Sequence, residues 1–368
     1  MNNSSIRRIL QVSYDMSQGG AETLIMNIYR HIDRNKVQFD FLLHGENKTA
    51  YEDEILSLGG RIYRIPRFLG YNKLSYDRNL KRFLTEHREY EIIHDHLMDS
   101  ATETFRIAKK MGLKTIAHSH IAQYGSSVDS MIRFFFRKNI CKVSDYRFAC
   151  SREAGEWFYR NKADFAILRN GIETERFAFS SSMRKKTRNK LGLADTDFVI
   201  GTIGRCVEQK NQRRAVEVFN DFCKENINAK LVIVGEGPLR KHLEQQVKNL
   251  GIDDKVVFTG TLTNTNEVYS SFDCFLFPSL YEGLGIVLVE AQANGLPCVI
   301  SSTIPREVDL IPSLVERVNL NESNKIWVEA MKRMKPMDNR QEAPKLIKEA
   351  GYCINDIAKE MENFYLAI

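Results

Sequence analysis

The chain has 368 residues, of which 43% are hydrophobic and 27% charged, a composition that predicts a globular protein long enough for two domains. Its net charge of +6 comes without a dense basic stripe, which argues against a nucleic-acid partner. The seven cysteines form no close pair, so they predict neither a zinc site nor a disulfide framework and favour a reducing compartment. We expect a cytoplasmic protein, peripheral to a membrane at most, because no signal peptide and no apolar run of about 18 residues is found.

Short apolar runs alternate with amphipathic helical stretches through the first half. The predicted strands are 9–14, 39–44, 61–65, 92–96, 114–118 and 146–150, and the predicted helices include 21–30, 80–88 and 101–111. The same alternation continues in the second half. There the predicted strands are 198–203, 230–234, 256–259, 274–277 and 297–301, and the helices include 212–225, 239–249 and a last helical segment, 343–368. This rhythm predicts parallel sheets with helices on both faces.

A turn at 169–172 and a polar, basic stretch at 179–190 interrupt the rhythm once. We therefore predict an α/β protein of two Rossmann-like, doubly wound domains with a cleft between them. The first domain covers residues 1–172 and the second 173–345. A C-terminal helix, 346–368, is expected to pack back on the first domain.

Two cations stand in the loop between the predicted strand 198–203 and the helix that follows it. Arg205 and Lys210 can reach the same anion, the arginine through its planar fork and the lysine as a mobile point charge. The alternative is a basic loop that only faces water. A second loop, 235–238, has two glycines that we interpret as serving tight packing.

Glu282 and Glu290 bracket a glycine-containing turn, Gly283-Leu284-Gly285, and the start of a helical run. Glycines before a helix let backbone N–H groups approach a phosphate, and the two carboxylates can accept hydrogen bonds from sugar hydroxyls. A strand–loop–helix unit with two surface acids is the alternative. The basic loop also follows a predicted strand. We therefore favour a site in which the two cations hold a diphosphate and the two carboxylates bind sugar hydroxyls.

These motifs resemble those of the retaining nucleotide-sugar glycosyltransferases of family four, which have the GT-B fold. That family carries a Gly-Arg…Lys loop, a Glu-x7-Glu motif, an N-terminal glycine pair and an interdomain Asn-Gly-Ile. The matching positions here are Gly204, Arg205 and Lys210; Glu282 and Glu290; Gly19 and Gly20; and residues 170–172. The likeness covers roughly residues 8–310. In residues 51–66 and 117–120 it is greatest to members that build bacterial capsular polysaccharides or exopolysaccharides.

The resemblance implies a role for each matching residue. Arg205 and Lys210 would hold the donor diphosphate and stabilise the leaving nucleotide. Glu290 would bind the ribose hydroxyls, and Glu282 would contact the transferred sugar. The backbone of Gly283, Leu284 and Gly285 would lie beside that sugar. Gly19 and Gly20 would let a first-domain loop approach the donor phosphate or the acceptor.

In the family, a histidine at the end of a first-domain strand points at the donor sugar. His118 and His120 stand at such an end, and we prefer His120 because it comes last. The alternative is that either histidine has a structural role and is hydrogen-bonded to partners in the protein core. The chain departs from the family at Glu173, where Asp is common, and in a short, divergent tail beyond residue 308.

No Asp-x-Asp motif follows a predicted strand, so we expect catalysis by charge alone, with no cofactor and no obligatory metal. The family suggests front-face attack with the leaving phosphate as base, but the sequence does not choose between this route and a covalent intermediate.

We predict a hexosyltransferase that uses a UDP-sugar and a lipid-linked or polysaccharide acceptor. Residues 131–142, which mix aromatics with cations, suggest an interfacial helix in contact with the inner leaflet; the alternative is a buried amphipathic helix whose cations face water. The alternatives for the function are a GT-B-fold UDP-sugar epimerase and a non-catalytic sugar-nucleotide-binding subunit.

Overall fold

The computed structural model describes residues 6–17, 19–97, 100–120, 139–160, 164–262 and 264–368. The chain divides into two compact units. The first comprises residues 1–171 together with 354–368, and the second comprises residues 172–353. Residues 131–138, the larger part of the segment proposed for membrane contact, lie outside the described residues. No helix in the described part of the chain is long and apolar enough to span a membrane.

The first unit contains a seven-stranded parallel sheet of order β3-β2-β1-β4-β5-β6-β7. Its strands are β1 Arg7–Ser13, β2 Val37–Leu43, β3 Ile62–Arg64, β4 Ile92–Asp95, β5 Lys114–Ser119, β6 Tyr146–Ala149 and β7 Ala166–Ile167. Its helices up to the boundary are α1 Gly20–His31, α2 Glu52–Ser57, α3 Lys73–Glu86, α4 Ala101–Lys110, α5 Ile140–Val143 and α6 Arg152–Tyr159. The inner strand β2 is buried along its whole length, as expected for a strand covered on both faces.

The second unit contains a six-stranded parallel sheet of order β10-β9-β8-β11-β12-β13. Its strands are β8 Phe198–Ile203, β9 Ala229–Val234, β10 Val256–Gly260, β11 Cys274–Phe277, β12 Cys298–Ser301 and β13 Val315–Val318. Its helices are α7 Ser181–Lys190, α8 Gln212–Glu225, α9 Arg240–Asn249, α10 Asn266–Tyr269, α11 Ile286–Ala293, α12 Asn324–Arg333 and α13 Ala343–Glu349. The predicted fold class, two doubly wound α/β domains, is confirmed.

The end of the chain forms helix α14, Ile354–Ala367, which belongs to the first unit. Ile357, Met361 and Tyr365 of this helix join the core of that unit. The sequence predicted one helical segment over 343–368, but α13 and α14 are separate helices. Gly351, at φ +85°, lies between them, and this left-handed conformation ends a helix.

In each sheet the strand order reverses at one place, between β1 and β4 in the first unit and between β8 and β11 in the second. The loops that follow two such strands diverge to opposite faces of the sheet and leave a crevice at the strands' carboxyl ends. Each unit therefore has one position where its fold favours a ligand.

Candidate functional site

The loops that follow β8 and β11 lie side by side in the second unit. The Leu280 backbone N–H donates to the Gln209 carbonyl oxygen at 2.8 Å, and the Gln209 side-chain amide donates to the Tyr281 carbonyl oxygen at 2.9 Å. Beside these bonds, Lys210 Nζ lies 2.6 Å from Glu282 Oε1. The structure thus brings the basic loop and the acidic glycine segment together in one site.

The Lys210–Glu282 ion pair is largely shielded from water, since the two side chains are 20% and 7% exposed. Lys210 Nζ also lies 5.3 Å from the centre of the Phe277 ring. Attraction between charges is stronger in such a place than at the surface. Removal of either partner would leave the other charge buried without compensation.

Arg205 lies in the same loop as Lys210, but its side chain is exposed. It forms no ion pair with any residue that the structure describes. The carbonyl oxygens of Gly204 and Arg205 accept hydrogen bonds from the Gln212 side chain at 3.2 and 3.1 Å, which fixes the backbone of the loop. A fixed backbone with a free guanidinium suits capture of an external anion.

Glycines of the 235–237 loop allow that loop to pack directly against the backbone of the basic loop. A Cβ atom at Gly235, whose φ is +133°, would lie 2.2 Å from the Gly204 carbonyl oxygen. A Cβ atom at Gly237 would lie 2.5 Å from the Cys206 carbonyl oxygen. The interpretation that these glycines serve packing is confirmed.

Gly285 ends the acidic glycine turn and precedes α11. Its φ of +89° lies in the left-handed region that only glycine adopts without strain, and its carbonyl oxygen accepts from the Leu288 N–H at 2.9 Å. Gly283 and Leu284 are buried in the turn. The turn therefore delivers Glu282 to Lys210 and starts the helix that carries Glu290.

Glu290 is not a surface acid, and neither is Glu282, because the two residues are only 8% and 6% exposed. Tyr269, in α10, donates its hydroxyl to Glu290 Oε2 at 2.6 Å. Burial raises the pKa of Glu290 to about 7, although the Tyr269 hydrogen bond and the Arg176 charge oppose this rise. Sequence reasoning missed Tyr269, which lies in a four-residue helix and carries no motif.

Substitution of Glu290 by glutamine is expected to stabilise the ligand-free protein at pH 8. The ordinary pKa of the carboxyl is near 4.5, and its pKa in the folded protein is about 7. At pH values between these two, the folded state retains a proton that the unfolded state has lost. Stability therefore falls as pH rises through this window, by about 3 kcal/mol in total. Thermal unfolding should show a higher melting temperature for Glu290→Gln than for wild type at pH 8, and no such gap at pH 5.

The exposed Glu322 provides a control, since Glu322→Gln should leave the melting temperature unchanged at both pH values. A Glu290→Gln effect of equal size at pH 5 and pH 8 would show that the buried carboxyl does not titrate in this window.

In the first unit, four histidines cluster at the carboxyl ends of β4 and β5. Adjacent pairing of these strands, with side chains that alternate between faces, places His94 and His96 beside His118 and His120. His96 Nδ1 lies 2.8 Å from His120 Nε2, and the His118 and His120 ring centres are 4.0 Å apart. Sequence reasoning named His118 and His120 but missed His94 and His96, although both pairs show the same His-x-His spacing.

Burial holds all four imidazoles in the neutral form. It lowers the pKa of His94 and of His120 to about 3, and it lowers the pKa values of His96 and His118 well below their usual range. Among the described residues, both ring nitrogens of His118 are buried without a hydrogen-bond partner, as are His120 Nδ1 and His94 Nε2. These four nitrogens are the unsatisfied ring nitrogens of the cluster.

Nitrogens of His94, His96 and His118 lie within 4.8 Å of one another, which raises the question of a metal ion. However, the His94 and His96 rings stack, with centres 4.3 Å apart and planes at 27°, and stacked rings do not direct their lone pairs at one ion. Both nitrogens of His96 are also hydrogen-bonded. The geometry favours a hydrogen-bonded network, and the absence of an obligatory metal stays a prediction.

Gly19 and Gly20 lie at the start of α1, as the N-cap and the first helical residue. A Cβ atom at Gly19 would lie 2.2 Å from Glu22 Oε2, whereas one at Gly20 would meet nothing within 4 Å. The Glu22 carboxyl thus folds over Gly19. Burial raises the pKa of Glu22 to about 7, and nearby Asp15 adds to the rise. Glu22 was not among the predicted site residues.

Two family models match the chain. "Glycosyltransferase Family 4" matches residues 18–176, and "Glycosyl transferases group 1" matches residues 183–343. EpsF of Bacillus subtilis (strain 168), a protein assigned as a glycosyltransferase, is 35% identical over 340 residues, which cover 90% of this chain and 88% of EpsF. An Escherichia coli enzyme named UDP-Gal:alpha-D-GlcNAc-diphosphoundecaprenol alpha-1,3-galactosyltransferase is 24% identical over 234 residues, 60% of this chain and 59% of that protein.

Solved structures share the fold over nearly the whole chain. The crystal structure of Anabaena HepE in complex with UDP superposes with a TM-score of 0.77 at 17% identity and covers 98% of this chain and 100% of that one. The crystal structure of WaaG, a glycosyltransferase involved in lipopolysaccharide biosynthesis, has a TM-score of 0.75 at 15% identity and covers 97% and 99% of the two chains.

Proposed function

The chain belongs to the family-four glycosyltransferases of GT-B fold, and from this premise we propose that it is a retaining hexosyltransferase. Its donor is a UDP-sugar and its acceptor a growing, lipid-linked glycan of capsular or exopolysaccharide biosynthesis. The observation that carries the proposal is the meeting of Lys210 and Glu282, at 2.6 Å, beside the unpaired Arg205. A diphosphate needs such cations, and a sugar needs a carboxylate close by.

In the ligand-free site, Lys210 and Glu282 neutralise each other. We propose that the donor diphosphate draws Lys210 and Arg205 to its oxygens, which frees Glu282 to accept a hydrogen bond from a hydroxyl of the transferred sugar. The cations then stabilise the negative charge that develops on the leaving nucleotide, where electrostatic help is worth most. Glu290 serves as the ribose anchor, held in place by Tyr269.

The choice of UDP and of a lipid-linked acceptor follows the relatives. HepE binds UDP in its crystal structure, and the Escherichia coli relative uses UDP-Gal and a diphosphoundecaprenol-linked sugar, according to its name. The 35% identity to EpsF supports a related place in polysaccharide synthesis. The front-face route, with the leaving phosphate as base and no metal, remains part of this proposal.

A lipid-linked acceptor requires the enzyme to approach a membrane, and we propose peripheral contact with the cytoplasmic leaflet. Tyr71, two residues before α3, and Leu74, in its first turn, are 87% and 80% exposed. Arg78, Lys81 and Arg82, further along α3, are exposed and form no ion pair with a described residue. Apolar anchors next to cations suit the surface of an anionic bilayer.

Nucleotide binding provides the first test of the proposal. UDP at about 100 times its dissociation constant should stabilise the protein by about 2.7 kcal/mol, a rise of roughly 5–11 °C in melting temperature for a unit of this size, and more than GDP or ADP does. No shift with any of the three nucleotides would contradict a nucleotide-sugar enzyme. A donor screen on membranes that carry lipid-linked oligosaccharides, with and without EDTA, then tests transfer, metal independence and, by NMR of the product, retention at the anomeric carbon.

A further inference from the structure

Gln11 joins two pairs of residues in the core of the first unit. Its side-chain oxygen lies 2.8 Å from His96 Nε2, and its side-chain nitrogen lies 3.4 Å from the Tyr365 hydroxyl. Gln11 is fully buried in β1, and Tyr365 belongs to α14. The amide is thus held between a first-unit histidine and the helix at the end of the chain.

Hydrogen-bond donors can be assigned from one end of this network to the other. An amide oxygen can only accept, so His96 Nε2 carries the proton of that bond. Because His96 is neutral, its Nδ1 has a bare lone pair and accepts from His120 Nε2 at 2.8 Å. His120 is neutral as well, so its own Nδ1 is left as a lone pair, buried and without a partner among the residues that the structure describes.

The other end of the network joins the Gln11 amide to Tyr365 and His94. The Gln11 amide N–H donates to the Tyr365 oxygen, and the Tyr365 hydroxyl donates to His94 Nδ1 at 2.7 Å. Tyr365 is fixed by packing, since its ring contacts Phe39 edge-on with centres 5.7 Å apart. Reversal of the amide would reverse the donor in every bond, so the five side chains act as one unit.

We propose that Gln11, anchored by Tyr365, is a positioning residue that sets the tautomer of His120 through His96, so that His120 meets its ligand as a hydrogen-bond acceptor. The identity of that ligand rests on the proposed function: it is a hydroxyl group of a sugar. An acceptor lone pair attracts a hydroxyl and repels a carboxylate. The network therefore selects a neutral sugar over a uronic acid at His120.

Nitrogen NMR of the full-length chain, labelled with 15N-histidine, reads the tautomers directly and needs no activity. The His120 signal, identified by its loss in His120→Gln, should show a protonated Nε2 and a bare Nδ1. Gln11→Leu removes the acceptor, and His96 and His120 should then become mixtures of tautomers. Gln11→Glu, whose two oxygens both accept, should restore the wild-type tautomer of His120.

The matched control is Gln38→Leu. Gln38 is a buried glutamine of the neighbouring strand β2 whose amide bonds to the Leu58 carbonyl oxygen at 3.1 Å and not to the histidines. It should leave the wild-type tautomers intact. Tyr365→Phe keeps the ring but removes the hydroxyl, and it should weaken the tautomer preference, which keeps the test valid if Gln11→Leu does not fold.

Kinetics provide the functional readout. Gln11→Leu should lower kcat by about tenfold or more with a much smaller change in the donor KM, and Gln11→Glu should recover most of the loss. A protonated Nδ1 on His120 in wild type, unchanged tautomers in Gln11→Leu, or the same change in Gln38→Leu would each overturn the inference. Stoichiometric Zn²⁺ binding that shifts the histidine signals would overturn it as well. If the tautomers behave as stated but no donor supports transfer, the proposed function fails while the role of Gln11 in the network stands.

Discussion

Lys210→Ala is expected to reduce sugar transfer by about two to three orders of magnitude while the protein remains folded. Lys210 is the partly buried cation at the proposed diphosphate position, and its charge acts on the leaving group as that group becomes more negative. Removal of one preorganised group of this kind costs about 10²–10³ in kcat. The measurement is the initial rate with the donor identified by screening, compared with wild type at saturating acceptor.

Stability must be separated from catalysis in this variant. Lys210→Ala leaves Glu282, 7% exposed, as a buried charge without its partner, which costs stability. The double variant Lys210→Ala/Glu282→Gln removes that charge and should regain stability without regaining activity. Lys241→Ala, which removes an exposed lysine of α9, matches the change in net charge and should keep wild-type rates. Turnover in folded Lys210→Ala within about tenfold of wild type would remove Lys210 from the mechanism.

Gly235→Ala is expected to destabilise the second unit by about 3 kcal/mol or more. The added Cβ atom would lie 2.2 Å from the Gly204 carbonyl oxygen, and this atom belongs to the backbone, which cannot rotate away as a side chain does. Overpacking costs about 1–3 kcal/mol, and a φ of +133° adds strain of about 1–3 kcal/mol for a residue with a side chain. Urea denaturation of the purified variant measures the loss.

Gly251→Ala is the control that introduces backbone strain without a steric clash, so the difference between the two variants measures the clash. Gly251 also has a positive φ, +65°, but a Cβ atom there would meet nothing within 4 Å. It should therefore cost only about 1–2 kcal/mol. Equal losses in the two variants would show that the contact between Gly235 and Gly204 is not tight in solution. Any folded Gly235→Ala should also bind UDP more weakly, because displacement of Gly204 moves the loop that carries Lys210.

The regular elements were largely predictable because their patterns are local. The buried strand β11 is a continuous apolar run, and β9 is one after Lys230. Their alternation with helices indicated two parallel sheets before any contact was known. The sequence prediction missed the two-residue strand β7 and the strand β13. Glu316 and Arg317 fill half of this four-residue edge strand, so it lacks an apolar run. The break between α13 and α14 depends on the left-handed conformation of Gly351. The helical pattern continues on both sides of this residue, so the sequence did not indicate the break.

The sequence predicted which residues belong to the candidate site, but not which of them contact each other. Motif spacing placed Lys210 and Glu282 in loops after strands, yet only the order β8-β11 in the sheet makes those loops neighbours. Glu290 was expected to bind hydroxyls, and nothing in the sequence indicated that Tyr269 would already hold it. Gln11 and Tyr365 are 354 positions apart, and no spacing rule links them.

The sequence by itself determined most of the segments that form strands and helices, and which residues carry charge or a ring nitrogen at the strand ends. Those properties follow from side-chain periodicity, which is set within a few residues of each position. The tertiary structure alone decided the partners: Lys210 with Glu282, Tyr269 with Glu290, and Gln11 between His96 and Tyr365. Such pairs depend on strand order and on the return of α14 to the first unit, and these arise from burial of apolar surface across the whole chain rather than from any local pattern.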